Sequence, residues 1–171
     1  QERLQGSGLW LKNWMQHQTR DAFWKHGSIC EDWSRVNIPV YAISGWADGY
    51  CRSVFRLMEH LHGPKKGLIG PWAHRYPHIG EPAPAIAYLK EELRWWDHWL
   101  KGRDTGIMDE PMLRLFMQDS VAPAGWHAER PGRWVAEPSW PSPNVVRTAW
   151  HLGGDGTLAH EAPARHASFV H

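Results

Sequence analysis

Residues 38–74 read IPVYAISGWADGYCRSVFRLMEHLHGPKKGLIGPWAH, and this stretch decides the fold of the chain. Two apolar runs, residues 39–44 and 66–69, each lead into a turn rich in glycine and tryptophan. The first turn carries Asp48 and the second carries His74. A segment with helical periodicity separates the runs, so the pattern predicts a strand, turn, helix, strand, turn unit. Both residues then follow the carboxyl ends of strands, at the edge of an open α/β sheet where ligands bind.

Helical periodicity is found in three parts of the chain. Between the two apolar runs, the hydrophobic residues of one helix face are Val54, Leu57, Met58 and Leu61. From residue 85 to Lys101 a second stripe repeats over about four turns. Its members are Ile86, Leu89, Leu93, Trp96 and Leu100. Residues 1–31 lack strand alternation and predict two short helices.

The composition of the chain changes beyond Gly106, where helical periodicity is absent. Strand-like segments lie at residues 112–117, 134–135 and 148–152. Seven prolines occur from Pro111 to Pro163, between and around these segments. Short strands joined by turns rich in proline and glycine predict a separate all-β domain that begins near residues 102–111.

The 171 residues suffice for one domain or for parts of two, and their 19 basic and 18 acidic side chains give a net charge of +1. This balance provides no electrostatic basis for binding nucleic acid or an anionic membrane. The longest apolar run is far shorter than the roughly 20 residues of a membrane span, so we expect no membrane partner.

The ends of the chain and its two cysteines bear on processing and compartment. The sequence starts without methionine and ends, at residues 168–171, in what reads as an unfinished strand, so we expect a fragment of a longer protein. Cys30 and Cys51 are isolated, which is more typical of buried thiols than of a disulfide or a metal site. They say little about the compartment, and we favour a cytoplasmic over a secreted location.

The order and spacing of Asp48 and His74 match a known arrangement of catalytic groups. In α/β-hydrolases the nucleophile, the acid and the histidine follow one another in the sequence, each on a loop after a strand. Asp48 precedes His74 by 26 residues, which accommodates one helix and one strand. In such a site His74 takes a proton from the nucleophile and returns it to the leaving group. Asp48 orients the imidazole and stabilises its charged form.

Each of these residues also has an ordinary structural explanation. Asp-Gly is a common turn pair and Asp is a good N-cap, while a loop histidine is often merely solvated. The shared context, a strand followed by a Gly-Trp turn or a Gly-Pro-Trp turn, favours catalysis for the pair. A G-x-S-x-G nucleophile motif is absent, because Ser7, Ser28 and Ser44 do not fit the pattern. We therefore expect this chain to be inactive by itself.

Four segments together form a specific pattern: residues 39–50 (PVYAISGWADGY), 69–74 (IGPWAH), 93–102 (LRWWDHWLKG) and 113–116 (LRLF). With them, the chain resembles a family of serine hydrolases. The family includes cocaine esterase, X-Pro dipeptidyl-peptidase, the α-amino-acid ester hydrolases and the glutaryl acylases. The sequence around Trp24 is similar to the end of the helical cap of that family, so the resemblance spans essentially the whole chain.

The resemblance implies an α/β-hydrolase core with a helical cap and a C-terminal β jelly roll. It divides the chain into a cap remnant (1–35), the C-terminal part of the hydrolase domain (36–104) and a partial jelly-roll sandwich (105–171). The serine nucleophile of the family, and the tyrosine of its oxyanion hole, precede the cap and have no counterpart here.

The resemblance also implies the site and its chemistry. Asp48 and His74 correspond to the acid and the base of the triad, Tyr50 to an aromatic residue that faces the acyl pocket, and Trp46 to a second substrate contact. The expected substrate is a small-molecule ester, an amide or a peptide, cleaved through an acyl-enzyme without metal or cofactor. Nucleic acid is not an expected partner, and a homo-oligomer is left open.

Two other function classes remain open. The tryptophan-rich segment 107–171 suggests a non-catalytic module that binds carbohydrate or protein. The twelve histidines suggest a metallohydrolase, for which His60 and His62 form the nearest approach to a ligand pair. On the predicted helix, however, these two side chains diverge by roughly 200°.

Overall fold

The computed structural model describes residues 2–154 and 156–162, and residues 168–171, where a strand was predicted, lie outside this range. The α-helices are α1 (Glu2–Ser7), α2 (Trp10–Gln16), α3 (Ala22–Lys25), α4 (Cys51–His60) and α5 (Tyr88–Lys101). The strands are β1 (Val40–Gly45), β2 (Lys65–Gly70), β3 (Leu113–Gln118), β4 (Gly132–Glu137), β5 (His151–Leu152) and β6 (Leu158–Ala159). The chain forms two compact units, Gln1–Trp140 and Pro141–His171.

The first unit contains a four-stranded mixed sheet in the order β1-β2-β3-β4. β1 and β2 run parallel over their whole length, from the pair Val40 and Lys65 to the pair Gly45 and Gly70. Helix α4 connects them, as parallel neighbours require a crossover. The predicted strand, helix, strand unit is therefore confirmed, and both strands end at the same edge of the sheet.

Helix α4 packs on this sheet with the face that the sequence predicts. Val54 and Met58 are buried with Ala42 of β1, Ile69 of β2 and Leu113 of β3. Leu61, just past the helix, is also buried, and Leu57 packs at the margin of the same cluster. Removal of this apolar area from water holds the crossover to the sheet.

The first two strands beyond residue 104, β3 and β4, belong to the same sheet as β1 and β2. β3 pairs parallel with β2, and β4 pairs antiparallel with β3 over six residues. The boundary predicted between residues 104 and 105 thus falls inside the first compact unit, because the backbone hydrogen bonds of β2 and β3 cross it. The jelly roll itself stays a prediction.

Helix α5 presents to the sheet a face that differs from the predicted apolar stripe. Leu89, Leu93, Trp96 and Leu100 are exposed. Trp95 is buried instead, with its ring centroid 5.3 Å from that of Tyr41 on β1. The predicted helix is confirmed, but its predicted inner face is wrong. Aromatic and charged residues on another side of the helix, such as Trp95 and Arg94, contact the sheet and the following loop.

Charged side chains attach helix α5 and the following loop to the sheet. Lys66 of β2 is 1% exposed, and its ammonium donates to the carbonyls of Ile107, at 2.6 Å, and Glu110, at 3.2 Å. Burial lowers the pKa of Lys66. The Glu110 carboxylate lies 3.6 Å from this ammonium and accepts a hydrogen bond from Arg94 of α5 at 2.6 Å. The buried charge is thus paired, as its desolvation requires.

The N-terminal residues form three short helices where two were predicted. Helices α1, α2 and α3 are separated by turns, and the hydrophobic residues Leu9, Trp10, Trp14 and Met15 are exposed. Within the described residues, no helix has the length and the apolar character needed to cross a membrane.

The second unit contributes a small antiparallel pair. β5 and β6 pair through His151 with Ala159 and Leu152 with Leu158, and the Gly153 amide donates to the Thr157 carbonyl at 2.8 Å. This hairpin closes over the glycine-rich turn seen in the sequence. The predicted strand 148–152 is confirmed only at its last two residues.

Replacement of Met58 by alanine tests the packing of α4. Because Met58 is fully buried, we expect Met58→Ala to lower the free energy of unfolding by about 2–5 kcal/mol. The matched control Leu89→Ala, on the exposed face of α5, should change it by no more than about 0.5 kcal/mol. Urea unfolding followed by tryptophan fluorescence measures both, and equal losses would contradict the assignment of the two faces.

Candidate active site

The loops that follow β1 and β2 are joined by two backbone hydrogen bonds. The Trp46 amide donates to the Gly70 carbonyl at 2.9 Å, and the Ala47 amide donates to the Trp72 carbonyl at 3.1 Å. These bonds continue the pairing of the two strands past their last residues. The segments that carry Asp48 and His74 therefore leave the sheet side by side.

Gly45, the last residue of β1, allows this close approach. A Cβ atom at this position would lie 1.9 Å from the carbonyl oxygen of Trp72. No side chain fits there without separation of the two loops. The glycine that precedes the Trp-Ala-Asp segment is thus required by the neighbouring backbone.

Asp48 and His74 form a hydrogen-bonded pair. The Nδ1 atom of His74 lies 3.0 Å from Oδ2 of Asp48, which is the pairing expected from the sequence. The Asp48 side chain is 10% exposed and the His74 side chain is 82% exposed. The carboxylate is thus held within the fold, while the imidazole projects from it with its Nε2 side accessible.

Two further donors hold the Asp48 carboxylate. The backbone amide of Tyr50 donates to Oδ1 at 2.9 Å, and the Ser44 hydroxyl donates to Oδ2 at 3.3 Å. The Tyr50 amide is the largest cause of a pKa of Asp48 below the usual aspartate value, and the hydrogen bond from His74 lowers this pKa further. Asp48 is therefore an anion at neutral pH, as needed to orient a histidine and to stabilise its protonated form.

A pocket of about 390 Å³ adjoins the pair. Besides Asp48 and His74, the residues that line it are Ile43, Ser44, Trp72, Ala73, Arg75, Tyr76, Pro77 and Tyr88. Arg75 is paired with Glu81 at 3.4 Å, so the wall is largely aromatic and apolar apart from the acid and the base. Such a surface is suited to a small, mostly apolar organic group.

The two aromatic residues predicted to contact substrate lie in different surroundings. Tyr50 is exposed, and its ring stands edge-on to the imidazole of His74 with centroids 5.9 Å apart. Neither Tyr50 nor Trp46 is among the residues that line the pocket. The indole of Trp46 donates to the Phe116 carbonyl of β3 at 2.7 Å and stacks on Phe55 of α4. The structure thus places Tyr50 next to His74 and places Trp46 against β3 and α4.

Ser44 and Trp72 belong to the site although the sequence did not single them out. Ser44 is visible only as the residue before the Gly-Trp turn, and nothing in its neighbours marks it as a partner of Asp48. Trp72 lies two residues before His74 and directly follows a proline, and this position was the one sign in the sequence that it belongs to the site. Within the described part of the chain, three or more histidine, cysteine or carboxylate side chains do not cluster as metal ligands would.

Comparison with known proteins identifies the family that the chain matches. Residues 1–76 match the family model of X-Pro dipeptidyl-peptidase (S15 family), and residues 105–171 match that of the X-Pro dipeptidyl-peptidase C-terminal non-catalytic domain. The chain belongs to the family of X-Pro dipeptidyl-peptidase and cocaine esterase. The resemblance that the four sequence motifs indicated is thereby confirmed.

Individual members of the X-Pro dipeptidyl-peptidase and cocaine esterase family show how much is shared. A predicted serine esterase of Mycobacterium bovis is 31% identical over 131 residues, which cover 72% of this chain and 19% of that protein. Cocaine esterase of a Rhodococcus species is 23% identical over 153 residues, which cover 83% of this chain and 25% of the esterase. The chain thus spans about a fifth to a quarter of the length of these relatives.

Solved structures of CocE/NonD family hydrolases share the fold. One from Staphylococcus aureus superimposes with a TM-score of 0.71 at 17% identity, over 90% of this chain and 26% of the other. An aminopeptidase from a Thaumarchaeota archaeon gives a TM-score of 0.66 at 17% identity, over 98% of this chain and 28% of the other. The mixed α/β fold predicted from the sequence is therefore confirmed.

Titration of Asp48 tests the hydrogen bonds at its carboxylate. Followed by ¹³C NMR, its midpoint should lie below about 3.9, the value of an unperturbed aspartate. In His74→Ala the midpoint should rise but stay low, because the Tyr50 amide remains. Since the pKa is lowered on folding, the stabilisation is present above the unfolded value and is lost as pH falls through the folded one.

Asp97 provides the control carboxylate for this titration. It lies on α5 and is paired with Lys101 and with Arg103, which lies just past the helix, so its midpoint should be the same in the parent chain and in His74→Ala. An Asp48 midpoint that does not move in this variant would show that the pair is not formed in solution.

Proposed function

We propose that this chain carries the acid and the base of a serine hydrolase that cleaves an ester or an amide through an acyl-enzyme. The observation that supports this most directly is the hydrogen bond between Asp48 Oδ2 and His74 Nδ1, which leaves Nε2 on the accessible side of the ring. The family, whose members are named as esterases and dipeptidyl-peptidases, agrees with this chemistry.

Each residue has one task in the reaction. His74 Nε2 accepts the proton of a serine hydroxyl as its oxygen bonds to the carbonyl carbon of the substrate. The same proton then passes to the leaving alcohol or amine as the C–O or C–N bond breaks. Water releases the acyl group in a second round of the same transfers. Asp48 keeps the Nδ1 proton of His74 in place and stabilises the imidazolium of each transition state.

The serine that acts as nucleophile lies, in this proposal, outside these 171 residues. Ser44 is the serine that contacts the pair, and its hydroxyl donates to the Asp48 carboxylate instead of to the histidine. A nucleophilic serine has to donate its proton to the histidine. Ser44 donates to the Asp48 carboxylate, which must remain an anion, so it is not placed as the nucleophile. We therefore assign Ser44 to the support of Asp48 and expect this chain alone to show no turnover.

Tyr50 is the proposed contact for the acyl group. Its ring is exposed next to His74, whereas its backbone amide holds Asp48. The side chain and the main chain of one residue thus serve the substrate and the acid separately. Trp46 contacts the sheet and α4, and we assign it to the support of the Asp48 loop.

Substitution of the acid and the base in the full-length protein tests the proposed reaction. We expect Asp48→Asn and His74→Ala each to lower kcat by about 10³- to 10⁴-fold, because proton transfer loses its base or the correct tautomer of that base. Hydrolysis of p-nitrophenyl esters and of an amide analogue measures the loss. Asp97→Asn and His62→Ala, outside the site, are the matched controls.

Retention of full activity in either variant would rule out this assignment. Labelling by a serine-reactive fluorophosphonate separates the alternatives, since a metallohydrolase or a non-catalytic binding module would not be labelled. Loss of activity on chelation, without such labelling, would favour the metallohydrolase.

Replacement of the Tyr50 side chain tests the acyl contact. We expect Tyr50→Ala to lower kcat/KM about tenfold for esters of bulky or aromatic acids, because aromatic packing at the acyl group is lost. Acetyl esters should be affected less, and Tyr50→Phe should retain the parent preference. The backbone amide that holds Asp48 is present in all three proteins, so an equal loss for every ester would contradict a role in specificity.

A further inference from the structure

Trp72, in the loop that carries His74, is almost completely buried. Its side chain is 1% exposed and is among the largest fully buried side chains of the chain. A Cβ atom at Gly70 would come within 2.5 Å of the benzene part of the indole, and one at Gly80 would come within 2.2 Å of its pyrrole part. The absence of side chains at the two glycines thus leaves a slot that the indole occupies.

The indole also has a hydrogen-bond partner outside its own loop. Its Nε1 donates to the Pro84 carbonyl at 2.8 Å. The residue before Pro84, Ala83, is paired with a segment from the C-terminal part of the sheet unit. The Ala83 amide donates to the Ala128 carbonyl at 2.8 Å, and the Arg130 amide donates to the Ala83 carbonyl at 2.9 Å.

The backbone of Trp72 leads from this point to the acid and the base. Its carbonyl accepts the Ala47 amide, one residue before Asp48. The next residue, Ala73, donates its amide to the Glu81 carbonyl at 2.7 Å, and His74 follows directly. Trp72 therefore joins three segments: the loop of the acid, the loop of the base, and residues 80–84, which are anchored to residues 128–130.

We propose that Trp72 is a positioning residue through which residues 128–130 set the geometry of the Asp48 and His74 pair. This inference rests on the proposed function for its effect on turnover, but its geometric part does not. The family model that matches residues 105–171 is named for a non-catalytic domain. The proposal gives a part of this region a role in the active site without any contact with substrate.

The exposure of His74 explains why such a support is needed. An imidazole that is 82% exposed gains little orientation from packing, so its position depends on the backbone that carries it. A displacement of about 1 Å in a catalytic group can cost about 100-fold in rate. The slot and the two hydrogen bonds of Trp72 restrain this backbone from a part of the chain about fifty residues away.

Two variants disturb this connection in different ways. Trp72→Phe keeps an aromatic ring in the slot but removes the N–H that binds Pro84. Gly80→Ala leaves every group of the connection in place and forces a methyl group against the indole. Trp96→Phe, on the exposed face of α5, and Gly27→Ala, where a Cβ meets nothing within 4 Å, are the matched controls.

The first readout is the tautomer of His74 in the 171-residue chain, measured by ¹⁵N NMR of labelled histidine. In the parent chain the proton should reside on Nδ1, which faces Asp48. Both slot variants should shift His74 toward the tautomer ratio of the exposed His62 in the same spectrum. Near-UV circular dichroism confirms that each variant is folded, and the two controls should match the parent.

The second readout is catalysis by the full-length protein. We expect kcat to fall about 10- to 100-fold in both slot variants, because the base is displaced. KM should change less than about twofold, because Trp72 lines the pocket but is only 1% exposed. Folded variants with an unchanged His74 tautomer and unchanged kcat would overturn the proposal. If the slot variants shift the His74 tautomer but the unsubstituted full-length protein shows no hydrolase activity, the proposed function is overturned and the positioning role of Trp72 is supported.

Discussion

The site depends on two backbone hydrogen bonds that continue the pairing of β1 and β2 beyond the strands. They join the Trp46 amide to the Gly70 carbonyl and the Ala47 amide to the Trp72 carbonyl. Without them, two loops that leave a sheet would diverge, and a carboxylate on one would meet an imidazole on the other only by chance. With them, the 3.0 Å contact of the acid and the base follows from strand register. The close approach of backbones excludes a side chain at Gly45.

Two tryptophans, Trp46 and Trp72, connect separate parts of the sheet unit through their rings and their indole N–H groups. The Trp72 ring is buried, whereas the partly exposed Trp46 ring stacks on Phe55. In both residues the indole N–H donates to a backbone carbonyl, that of Phe116 for Trp46 and that of Pro84 for Trp72. This combination suits a residue that must connect separate parts of a fold, because the ring provides packing and the N–H fixes the orientation. Charge serves the same purpose behind the sheet, where Lys66 binds the loop after α5.

The sequence was sufficient for the parts of the fold that local patterns determine. The β1, α4, β2 unit and the pairing of Asp48 with His74 follow from periodicity, glycine turns and strand ends, whereas Tyr50 was indicated by the family resemblance. The inner face of α5 was not predictable, because its contacts are Trp95 and ion pairs that a hydrophobic stripe does not reveal. The roles of Trp46 and Trp72 depend on carbonyls about seventy and twelve residues away, and no pattern within a short window contains them.

The parallel pairing of β2 with β3 affects how this protein can be recombined. One family model ends at residue 76 and the other begins at residue 105. A chimera designed from these matches would therefore join a foreign C-terminal part between these residues. Such an exchange would replace the strand that lies beside Gly67 and Ile69, together with the segment that anchors residues 80–84. The two parts have therefore to come from the same protein. A crossover after β4 keeps the pairing of β2 with β3 and the hydrogen bonds to residues 128–130, whereas a crossover at residue 105 would break them.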